Sequence, residues 1–266
     1  MDNRAIGIFD SGLGGLTALR ALRALLPDEN IVYFADTARM PYGDRRVEEL
    51  RKMTQQDLAF LTRRGVKCVL AACGTVSSTA PDVLDGCMIK AFDVLRPTVR
   101  EAAGTGNGPV GVIATEASIR SGAYQRALVR LCPGREIVAA ACPAYVPLIE
   151  SGSPSAGEEL RAATERYLRP FADRSVKTLI LGCTHYGLIA DTIRAFLGND
   201  IYLIEASACA AKAVAGYLKE NDLCGGTGEE RFFTSGSTEA FRRLSAVFFG
   251  GDEIVKDITH VPAEEV

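Results

Sequence analysis

Two cysteines stand in matching surroundings far apart in the chain. Cys73 lies in the segment ACGT and Cys183 in the segment GCTH, and each segment follows a short apolar run. A thiolate can remove a proton and a thiol can donate one, and two such groups can exchange these roles near neutral pH. Placed on opposite faces of one carbon atom, they could invert its configuration. We therefore predict that Cys73 and Cys183 are an acid/base pair that acts on a stereocentre.

The remaining cysteines favour a plainer interpretation. The chain has eight cysteines, and a buried, unreactive thiol is one of the commonest fates of this residue. No two of them have C-x-x-C spacing, so the sequence indicates neither a redox motif nor a common zinc site, and we expect no metal ion. A structural role is the alternative for Cys73 and Cys183 too. We expect that role for Cys68, Cys87, Cys132, Cys209 and Cys224.

A second polar cluster opens the chain. Asp10 and Ser11 follow the apolar segment Ala5–Phe9 and begin the glycine-rich sequence DSGLGG. These glycines would let backbone N–H groups turn toward an anion, ahead of a helix that starts at Leu16. Ligands of open α/β sheets bind just outside the carboxyl ends of the strands. Asp10 and Ser11 are therefore candidate site residues.

The same segment has a nucleotide-binding alternative. Gly12 and Gly14, with Asp36 after the next strand, match part of a dinucleotide fingerprint. Thr17 takes the place of the third glycine, and Asp10 would put a negative charge beside the pyrophosphate. Both features count against a dinucleotide.

His185 is the imidazole nearest to this chemistry. It follows Cys183 by two residues, near enough to polarise the thiol or a substrate. The only other histidine, His260, has no polar cluster around it in the sequence, and we expect it on the surface. Tyr42 and Gly43 follow a proline and indicate a turn near the mouth of the site. Spacing alone supports a structural turn and a ligand contact equally.

Apolar runs that alternate with amphipathic stretches must position these residues. The runs are apolar on both faces, which favours an α/β fold with mainly parallel sheets. The predicted strands are Ala5–Phe9, Ile31–Phe34, Cys68–Ala71, Val110–Ile113, Ile137–Ala140, Thr178–Leu181, Ile201–Ile204 and Arg231–Thr234. The predicted helices are Leu16–Leu26, Arg46–Arg63, Ala123–Leu131, Glu158–Phe171, Ile189–Phe196 and Ala208–Lys219.

Three segments recur in the same order at an offset of about 104 to 110 residues. The apolar run before Cys73, for example, recurs before Cys183. We interpret the chain as two similar halves, each an α/β domain, with the site in the cleft between them. The predicted first domain comprises residues 1–97 and 208–266, and the second comprises residues 98–207.

Composition and charge exclude several classes of protein. The 266 residues are 47% hydrophobic and 24% charged, with a formal net charge of −3, so the chain can bury a full core. No basic face indicates a nucleic-acid partner, and no apolar stretch is long enough to cross a membrane. The first residues lead into a strand without a signal-peptide pattern. We therefore expect a cytoplasmic protein with reduced thiols.

Seven segments of the sequence together carry a resemblance to a known family: Ile6–Gly15, Ala35–Asp44, Ala72–Thr75, Gly111–Tyr124, Cys142–Glu150, Leu179–Tyr186 and Phe233–Gly236. In these segments, in the same order, the sequence resembles the glutamate racemases of the aspartate/glutamate racemase superfamily. The resemblance implies two pseudosymmetric α/β domains, with the active site between them. It also implies interconversion of L- and D-glutamate without pyridoxal phosphate, metal or another cofactor, which supplies D-glutamate for peptidoglycan, cell-wall biogenesis and cell shape.

The resemblance also implies roles for individual residues. Cys73 and Cys183 match the proton donor/acceptor pair, Asp10 and His185 match their assisting residues, and Glu150 is a weaker third candidate. A dianionic amino acid suits backbone and hydroxyl donors. Substrate contacts are expected from Ser11, Tyr42, Gly43, Gly74, Thr75, Ser118 and Thr184.

Three positions depart from the pattern of that family. Gly74 stands where asparagine is usual, Gly187 where proline is usual, and Glu205-Ala206 where an Asp-Ser pair is common. An asparagine amide both donates and accepts hydrogen bonds, so we expect open space or a water beside Gly74. We accordingly predict a high Michaelis constant for glutamate that Gly74→Asn lowers.

Two alternatives to an active glutamate racemase stay open. The first is a related racemase that acts weakly on glutamate or prefers another amino acid because of Gly74. The second is a binding or regulatory homologue without activity, against which both cysteines and His185 argue. The expected partner is a small amino acid, with no nucleic acid and no membrane. The oligomeric state is left open, with a homodimer as one candidate.

Overall fold

The computed structural model describes residues 1–151, 157–249, 255 and 257–266. Among them, ten strands form two sheets, and every strand pair in both sheets is parallel. Helices separate consecutive strands along most of the chain, as parallel strands require. The predicted α/β class with two mainly parallel sheets is confirmed.

The first sheet contains six strands in the order β10-β9-β2-β1-β3-β4. Its central strands are buried along their whole length, which explains their continuous apolar sequences. The two strands from the C-terminal part of the chain extend this sheet beyond β2. The bounds are β1 Ile6–Asp10, β2 Ile31–Ala35, β3 Cys68–Ala71, β4 Lys90–Asp93, β9 Glu230–Thr234 and β10 Ile258–His260.

The second sheet contains four strands in the order β6-β5-β7-β8. This order repeats the β2-β1-β3-β4 part of the first sheet, so the two halves share one arrangement of strands. The predicted pseudosymmetry is therefore present at the level of the sheets. The bounds are β5 Val110–Ala114, β6 Ile137–Ala141, β7 Thr178–Leu181 and β8 Tyr202–Glu205.

Twelve α-helices lie in the described parts of the chain. Helix α11 packs against α1 on the first sheet and against α5, so it contacts elements of both halves. The bounds are α1 Leu16–Leu25, α2 Val47–Thr62, α3 Gly74–Thr79, α4 Pro81–Asp85, α5 Leu95–Ala103, α6 Glu116–Ser121, α7 Ala123–Leu131, α8 Tyr145–Glu150, α9 Glu158–Ala172, α10 Ala190–Leu197, α11 Ala206–Glu220 and α12 Thr238–Phe249. Short 3-10 turns lie at Tyr42–Asp44, Tyr186–Ile189 and Ala263–Glu265.

Each predicted strand and helix exists, with ends that differ by at most two residues. Two strands were not predicted, β4 and β10, and both lie at edges of the first sheet. The sequence of β4, KAFD, begins with exposed Lys90, and β10 has only three residues. A short strand that faces solvent has no continuous apolar run to reveal it. None of the helices in the described ranges is both long enough and apolar enough to cross a membrane.

Candidate active site

A cavity of about 370 Å³ lies where carboxyl ends of strands from both sheets meet. The first half contributes residues after β1, β2 and β3, and the second half contributes residues after β5, β6 and β7. This is the position expected for a ligand in parallel α/β sheets. Of the predicted site residues, eleven line the cavity: Asp10, Ser11, Tyr42, Gly43, Cys73, Gly74, Thr75, Glu150, Cys183, Thr184 and His185.

Strand register places the two cysteines at equivalent points of the two halves. In the first sheet Ile6 on β1 pairs with Cys68 on β3, and in the second sheet Val110 on β5 pairs with Thr178 on β7. Cys73 and Cys183 each follow the paired residue of their strand by five positions. Both thiols line the same cavity, so the structure brings together two residues that are far apart in sequence.

Cys73 is a buried thiol at the start of α3. Its Sγ atom lies 3.5 Å from the hydroxyl oxygen of Ser11. Burial raises the pKa of Cys73 to about 12, and the negative charge of Asp10 adds to the rise while the Ser11 hydroxyl opposes it. At neutral pH this sulfur therefore carries its proton.

Cys183 has a cationic neighbour instead of an anionic one. Its Sγ atom lies 3.7 Å from Nδ1 of His185, and Nε2 of the same ring lies 3.0 Å from Oε1 of Glu150. Burial acts to lower the pKa of His185, but the hydrogen bonds to Cys183 and Glu150, together with the charges of Cys183 and Asp10, raise it to about 10. An imidazolium thus lies between the Cys183 sulfur and the Glu150 carboxylate.

Asp10 lies at the end of β1, on the Cys73 side of the cavity. Its Oδ1 accepts the N–H of Ser11 at 2.9 Å, and its Oδ2 accepts the N–H of Gly15 at 2.8 Å. Burial raises the pKa of Asp10, while the charge of His185 and these N–H groups oppose the rise. The glycine-rich turn therefore satisfies the Asp10 carboxylate itself and fixes its orientation.

A chain of hydroxyl groups runs along the wall between the halves. The Thr75 hydroxyl lies 3.0 Å from that of Thr115, which donates to Ser118 at 2.9 Å, and Ser78 also reaches Ser118 at 3.0 Å. Ser118 is fully buried and is not among the residues that line the cavity. Its hydroxyl lies behind Thr115, so it contacts the site through Thr115 rather than facing it.

The Tyr42 ring lines the cavity, but its hydroxyl is engaged elsewhere. That hydroxyl donates to the buried carboxylates of Asp36 and Asp57. Arg39 bridges the same two carboxylates, with Nε 2.6 Å from Asp36 and Nη2 2.9 Å from Asp57. What Tyr42 and Gly43 offer a ligand is therefore the ring and the backbone of the turn, while the hydroxyl anchors the turn.

The expected gap beside Gly74 does not exist. A Cβ atom built at Gly74 would lie closer than 3.0 Å to the backbone carbonyl oxygen of Gly182. Real Cβ atoms essentially never approach backbone so closely. The prediction of open space or water is wrong because the opposite loop fills that position with its own main chain. An asparagine at this position would collide with that loop, which removes the basis for the expectation that Gly74→Asn lowers the Michaelis constant.

Parts of the cavity wall were missed from the sequence. Cys142 directly follows β6, so the same strand-end argument that selected Cys73 could have selected it. An apolar patch formed by loops and the start of α8 carries no chemical signal in the sequence, and it comprises Met40, Pro41, Pro143, Val146 and Pro147.

Most of the ionisable acidic and basic side chains that line the cavity are acidic. Its carboxyl groups belong to Asp10, Asp44, Glu116 and Glu150, and His185 is the single basic side chain in the described lining. A carboxylate ligand would therefore depend on hydroxyl and N–H donors for most of its hydrogen bonds. Within the described ranges, no group of three His, Cys, Asp or Glu residues is arranged to hold a metal ion.

Comparison with known proteins agrees with this architecture. The sequence profile of the family described as Asp/Glu/Hydantoin racemase matches residues 17–214. A glutamate racemase of Geobacter metallireducens is 39% identical over 253 residues, 93% of each chain. The solved glutamate racemase of Francisella tularensis in complex with D-glutamate superimposes with a TM-score of 0.92 at 35% identity, and that of Thermus thermophilus in complex with β-chloro-D-alanine with a TM-score of 0.89 at 36% identity, each over 100% of both chains. The chain therefore belongs to the Asp/Glu/Hydantoin racemase family and, within it, to the glutamate racemases.

Proposed function

We propose that the protein interconverts L- and D-glutamate by proton transfer between Cys73, Cys183 and the α-carbon of the substrate. The observation that carries this proposal is the entry of two thiols into one cavity from equivalent positions of the two halves. A reaction that exchanges mirror-image substrates needs one proton-transfer group on each face of the reacting carbon. The names of the similar racemases supply glutamate as the substrate.

Each turnover moves two protons. One cysteine, as a thiolate, takes the α-proton and becomes a thiol, and the substrate becomes a planar carbanion. The other cysteine, as a thiol, donates its proton to the opposite face and becomes a thiolate. The bond to hydrogen broken on one face is thus replaced on the other, and the two sulfurs have exchanged protonation states.

The two sulfurs have different neighbours, and this difference suggests which one accepts the first proton. Cys73 keeps its proton at neutral pH because its pKa lies near 12. Cys183 has an imidazolium 3.7 Å from its sulfur. We infer that Cys73 is the first proton donor and that Cys183, beside the imidazolium, is the first proton acceptor. Proton transfer to Cys183 and from Cys73 then starts a turnover.

Three further residues assist without touching the α-carbon in this proposal. His185 supplies positive charge beside Cys183, and Glu150 holds the imidazole ring in place through Nε2. Asp10 disfavours a thiolate at Cys73, which keeps that sulfur protonated until the substrate arrives.

The substrate carboxylates would be held by neutral donors. Hydroxyl groups of Ser11, Thr75, Thr115 and Thr184 line the cavity, and the Gly43 backbone lies in the turn opposite Thr115. The negative side chains of the lining offer acceptors for the substrate ammonium group. No step of this mechanism calls for a cofactor, and the groups named above supply the chemistry.

We further propose that the protein acts in the cytoplasm. Both cysteines must remain reduced to exchange protons, which suits the cytoplasm. Supply of D-glutamate for peptidoglycan is the role that the resemblance implies, and a homodimer stays a prediction that sedimentation velocity would test.

The direct test is chiral chromatography of purified protein with L-glutamate, D-glutamate and L-aspartate, without added cofactor. We expect each glutamate enantiomer to give the other, and little reaction with aspartate. In deuterium oxide, early product should carry deuterium at the α-carbon while the remaining substrate keeps hydrogen, because each face has its own base. Aspartate as the better substrate would favour the alternative of a related racemase, and no racemisation at all would favour a binding protein.

A further inference from the structure

One of the seven segments that resemble the racemases, Phe233–Gly236, takes no part in the proposed chemistry. It contains the end of β9 and the turn that follows, and none of its residues belongs to the described lining of the cavity. Thr234 is fully buried and Ser235 nearly so. A buried hydroxyl group costs free energy unless it is hydrogen-bonded, so the partners of these two groups show what the segment holds.

The partners of both hydroxyl groups lie in the loop that follows β2. Ser235 Oγ donates to Oδ1 of Asp36 at 2.8 Å and accepts the N–H of Ala38 at 2.9 Å. The hydroxyl oxygen of Thr234 lies 2.7 Å from that of Thr37. Three consecutive residues of the loop are thus hydrogen-bonded to the segment.

Strand register places the segment beside this loop. β9 and β2 are parallel, and their last residues, Thr234 and Ala35, are paired. The N–H of Ser235 continues the pattern with a bond to the carbonyl oxygen of Ala35 at 3.0 Å. The two chains therefore leave the sheet side by side, although 199 residues separate Ser235 from Asp36 in the sequence.

The same loop continues into the wall of the cavity, where residues 40–43 line the site. Oδ1 of Asp36 accepts the Ser235 hydroxyl, while Oδ2 accepts the Nε–H of Arg39 at 2.6 Å. Oδ2 also accepts the hydroxyl of Tyr42, whose ring lies in the cavity wall. One carboxylate thus connects the buried serine of the C-terminal segment with the turn that lines the site.

We propose that Ser235 is a positioning residue that holds the turn at Tyr42 and Gly43 in place to bind the substrate. This inference rests on the proposed racemase function, in which the backbone of that turn is one of the groups that hold the substrate carboxylates. Ser235 lies outside the described cavity lining, so it acts on the substrate only through the loop.

The loss of this hydroxyl group should affect substrate binding more than proton transfer. Cys73 follows β3 and Cys183 follows β7, whereas the loop follows β2. The N–H of Asp36 donates to the carbonyl oxygen of Asp10 at 2.9 Å, and this bond keeps the start of the loop at the first sheet when Ser235 is replaced. Displacement is therefore expected beyond Asp36, in the part of the loop that reaches the substrate, and it should raise KM more than it lowers kcat.

The test compares Ser235→Ala with Ser245→Ala. Ser245 is a buried serine of α12 outside the described cavity lining. Its hydroxyl also has one acceptor and one donor, the carbonyl oxygen of Arg242 at 2.8 Å and the N–H of Val255 at 3.4 Å, and neither belongs to the loop. This control therefore measures the loss of a buried hydroxyl group alone.

The expected result is a split between the two kinetic constants. We expect Ser235→Ala to raise KM for both enantiomers of glutamate about tenfold, because a hydrogen bond to a charged group is lost. The value of kcat should stay within about threefold of the control, since Ser235 holds neither cysteine loop. A rise in KM below about twofold relative to the control overturns the inference, as does a loss that falls on kcat instead.

Hydrogen exchange, followed by mass spectrometry, separates positioning from a general loss of stability. Local opening speeds exchange in one segment, whereas global destabilisation speeds it in the core strands too. We expect Ser235→Ala to speed exchange in residues 36–43 and to leave β5 and β7 near the control. Equal acceleration in the loop and in these strands contradicts the inference.

Thr37→Val tests the same contact from the loop side. It removes the hydroxyl group beside Thr234, and Thr37 is only partly buried, so this variant should fold even if Ser235→Ala does not. We expect KM to rise in this variant too. Unfolding of both variants counts against the inference, as does an unchanged KM in Thr37→Val when Ser235→Ala is unfolded. Wild-type protein that does not racemise glutamate refutes the proposed function, whereas active wild type with an unaffected KM in Ser235→Ala refutes only the positioning role.

Discussion

At the scale of single residues, the two cavity thiols are chemically identical side chains in different surroundings. Cys73 faces a carboxylate and a hydroxyl, and Cys183 faces an imidazolium. The sequence predicts the two thiols because each follows an apolar strand. It does not predict the difference between them, since that difference depends on residues from other strands.

Replacement of either cysteine tests the two-base assignment. We expect Cys73→Ala and Cys183→Ala each to abolish racemisation in both directions, because a proton must leave one face and arrive on the other. Cys68→Ala is the matched control, since Cys68 is buried in β3 and lies outside the cavity. Chiral chromatography measures the activity. Near wild-type turnover in either active-site variant would show that a single group serves both faces.

The proposed imidazolium at His185 can be tested by titration of that side chain. With only two histidines in the chain, His260→Gln leaves one imidazole signal for NMR. We expect His185 to titrate near pH 10, and at lower pH in Glu150→Gln, because that variant loses the charged partner of Nε2. A His185 that titrates at its ordinary value of 6.5 would contradict the proposed charge at this position.

The same raised pKa has a consequence for stability. The folded protein binds the His185 proton more tightly than the unfolded chain does, so the contribution to stability is fully present below pH 6.5. It declines as pH rises above that value and is lost as pH passes through about 10. Urea unfolding of wild type and His185→Gln across this range measures the contribution.

At the scale of elements, the turn after β2 depends on a buried network of charges. Arg39 lies between Asp36 and Asp57, and Tyr42 donates to the same carboxylates from the cavity wall. Asp36 follows β2, Asp57 lies on α2, and the turn connects them. The network thus fixes one wall of the active site from outside the cavity.

Removal of the cation in this network should destabilise the fold. We expect Arg39→Met to cost about 3–5 kcal/mol, since it leaves two buried carboxylates without a cationic partner. Arg51→Met is the control on α2, because its exposed ion pair with Asp82 is worth less than about 1 kcal/mol. Urea unfolding measures both. Equal, small losses would show that the Arg39 ion pairs contribute little.

The loss of stability in Arg39→Met should depend on pH, because the carboxyl groups beside Arg39 titrate. Burial and the charge of Asp36 raise the pKa of Asp57 well above its usual range. A carboxyl with a raised pKa in the folded state favours folding at low pH, where it is neutral, and this contribution is lost as pH rises. We therefore expect Arg39→Met to be less destabilising in acid than in base.

Strands could be predicted from the sequence where the physical signal lies within the strand itself. The central strands read as continuous apolar runs because both of their faces are buried, as in IVYF at β2 and TLIL at β7. The edge strands β4 and β10 lack that signal. The backbone contact between Gly74 and Gly182 was unpredictable for a different reason: the two residues come from different halves, and no local pattern reports their approach.

At the scale of the whole molecule, we expect the ligand to contact both domains at once. We propose that residues 1–97 with 208–266 form one domain and residues 98–207 the other, with the cavity between them. A ligand at 100 times its Kd stabilises a protein by about 2.7 kcal/mol. We expect D-glutamate to raise the melting temperature of wild type, and Ser11→Ala and Thr184→Ala each to reduce the shift, since the two hydroxyls belong to different domains.

Thermal shift measurements with each variant decide this point. Ala123→Gly on α7 is a control that lies outside the cavity, and its shift with D-glutamate should match that of wild type. A shift reduced in only one of the two hydroxyl variants would mean that a single domain holds the substrate.

In the proposed mechanism, each turnover leaves the two buried sulfurs in the protonation state that the opposite enantiomer requires. After the protein converts an L-substrate, Cys73 and Cys183 are therefore ready for a D-substrate. A second L-substrate must wait until the sulfurs exchange protons with water, and both side chains have little contact with solvent, at 4% and 7% exposure. In a mixture of both enantiomers, conversion of the opposite enantiomer restores the earlier protonation state of the sulfurs without exchange with water. With one pure enantiomer at high concentration, we therefore expect the return of protons from water to limit the rate.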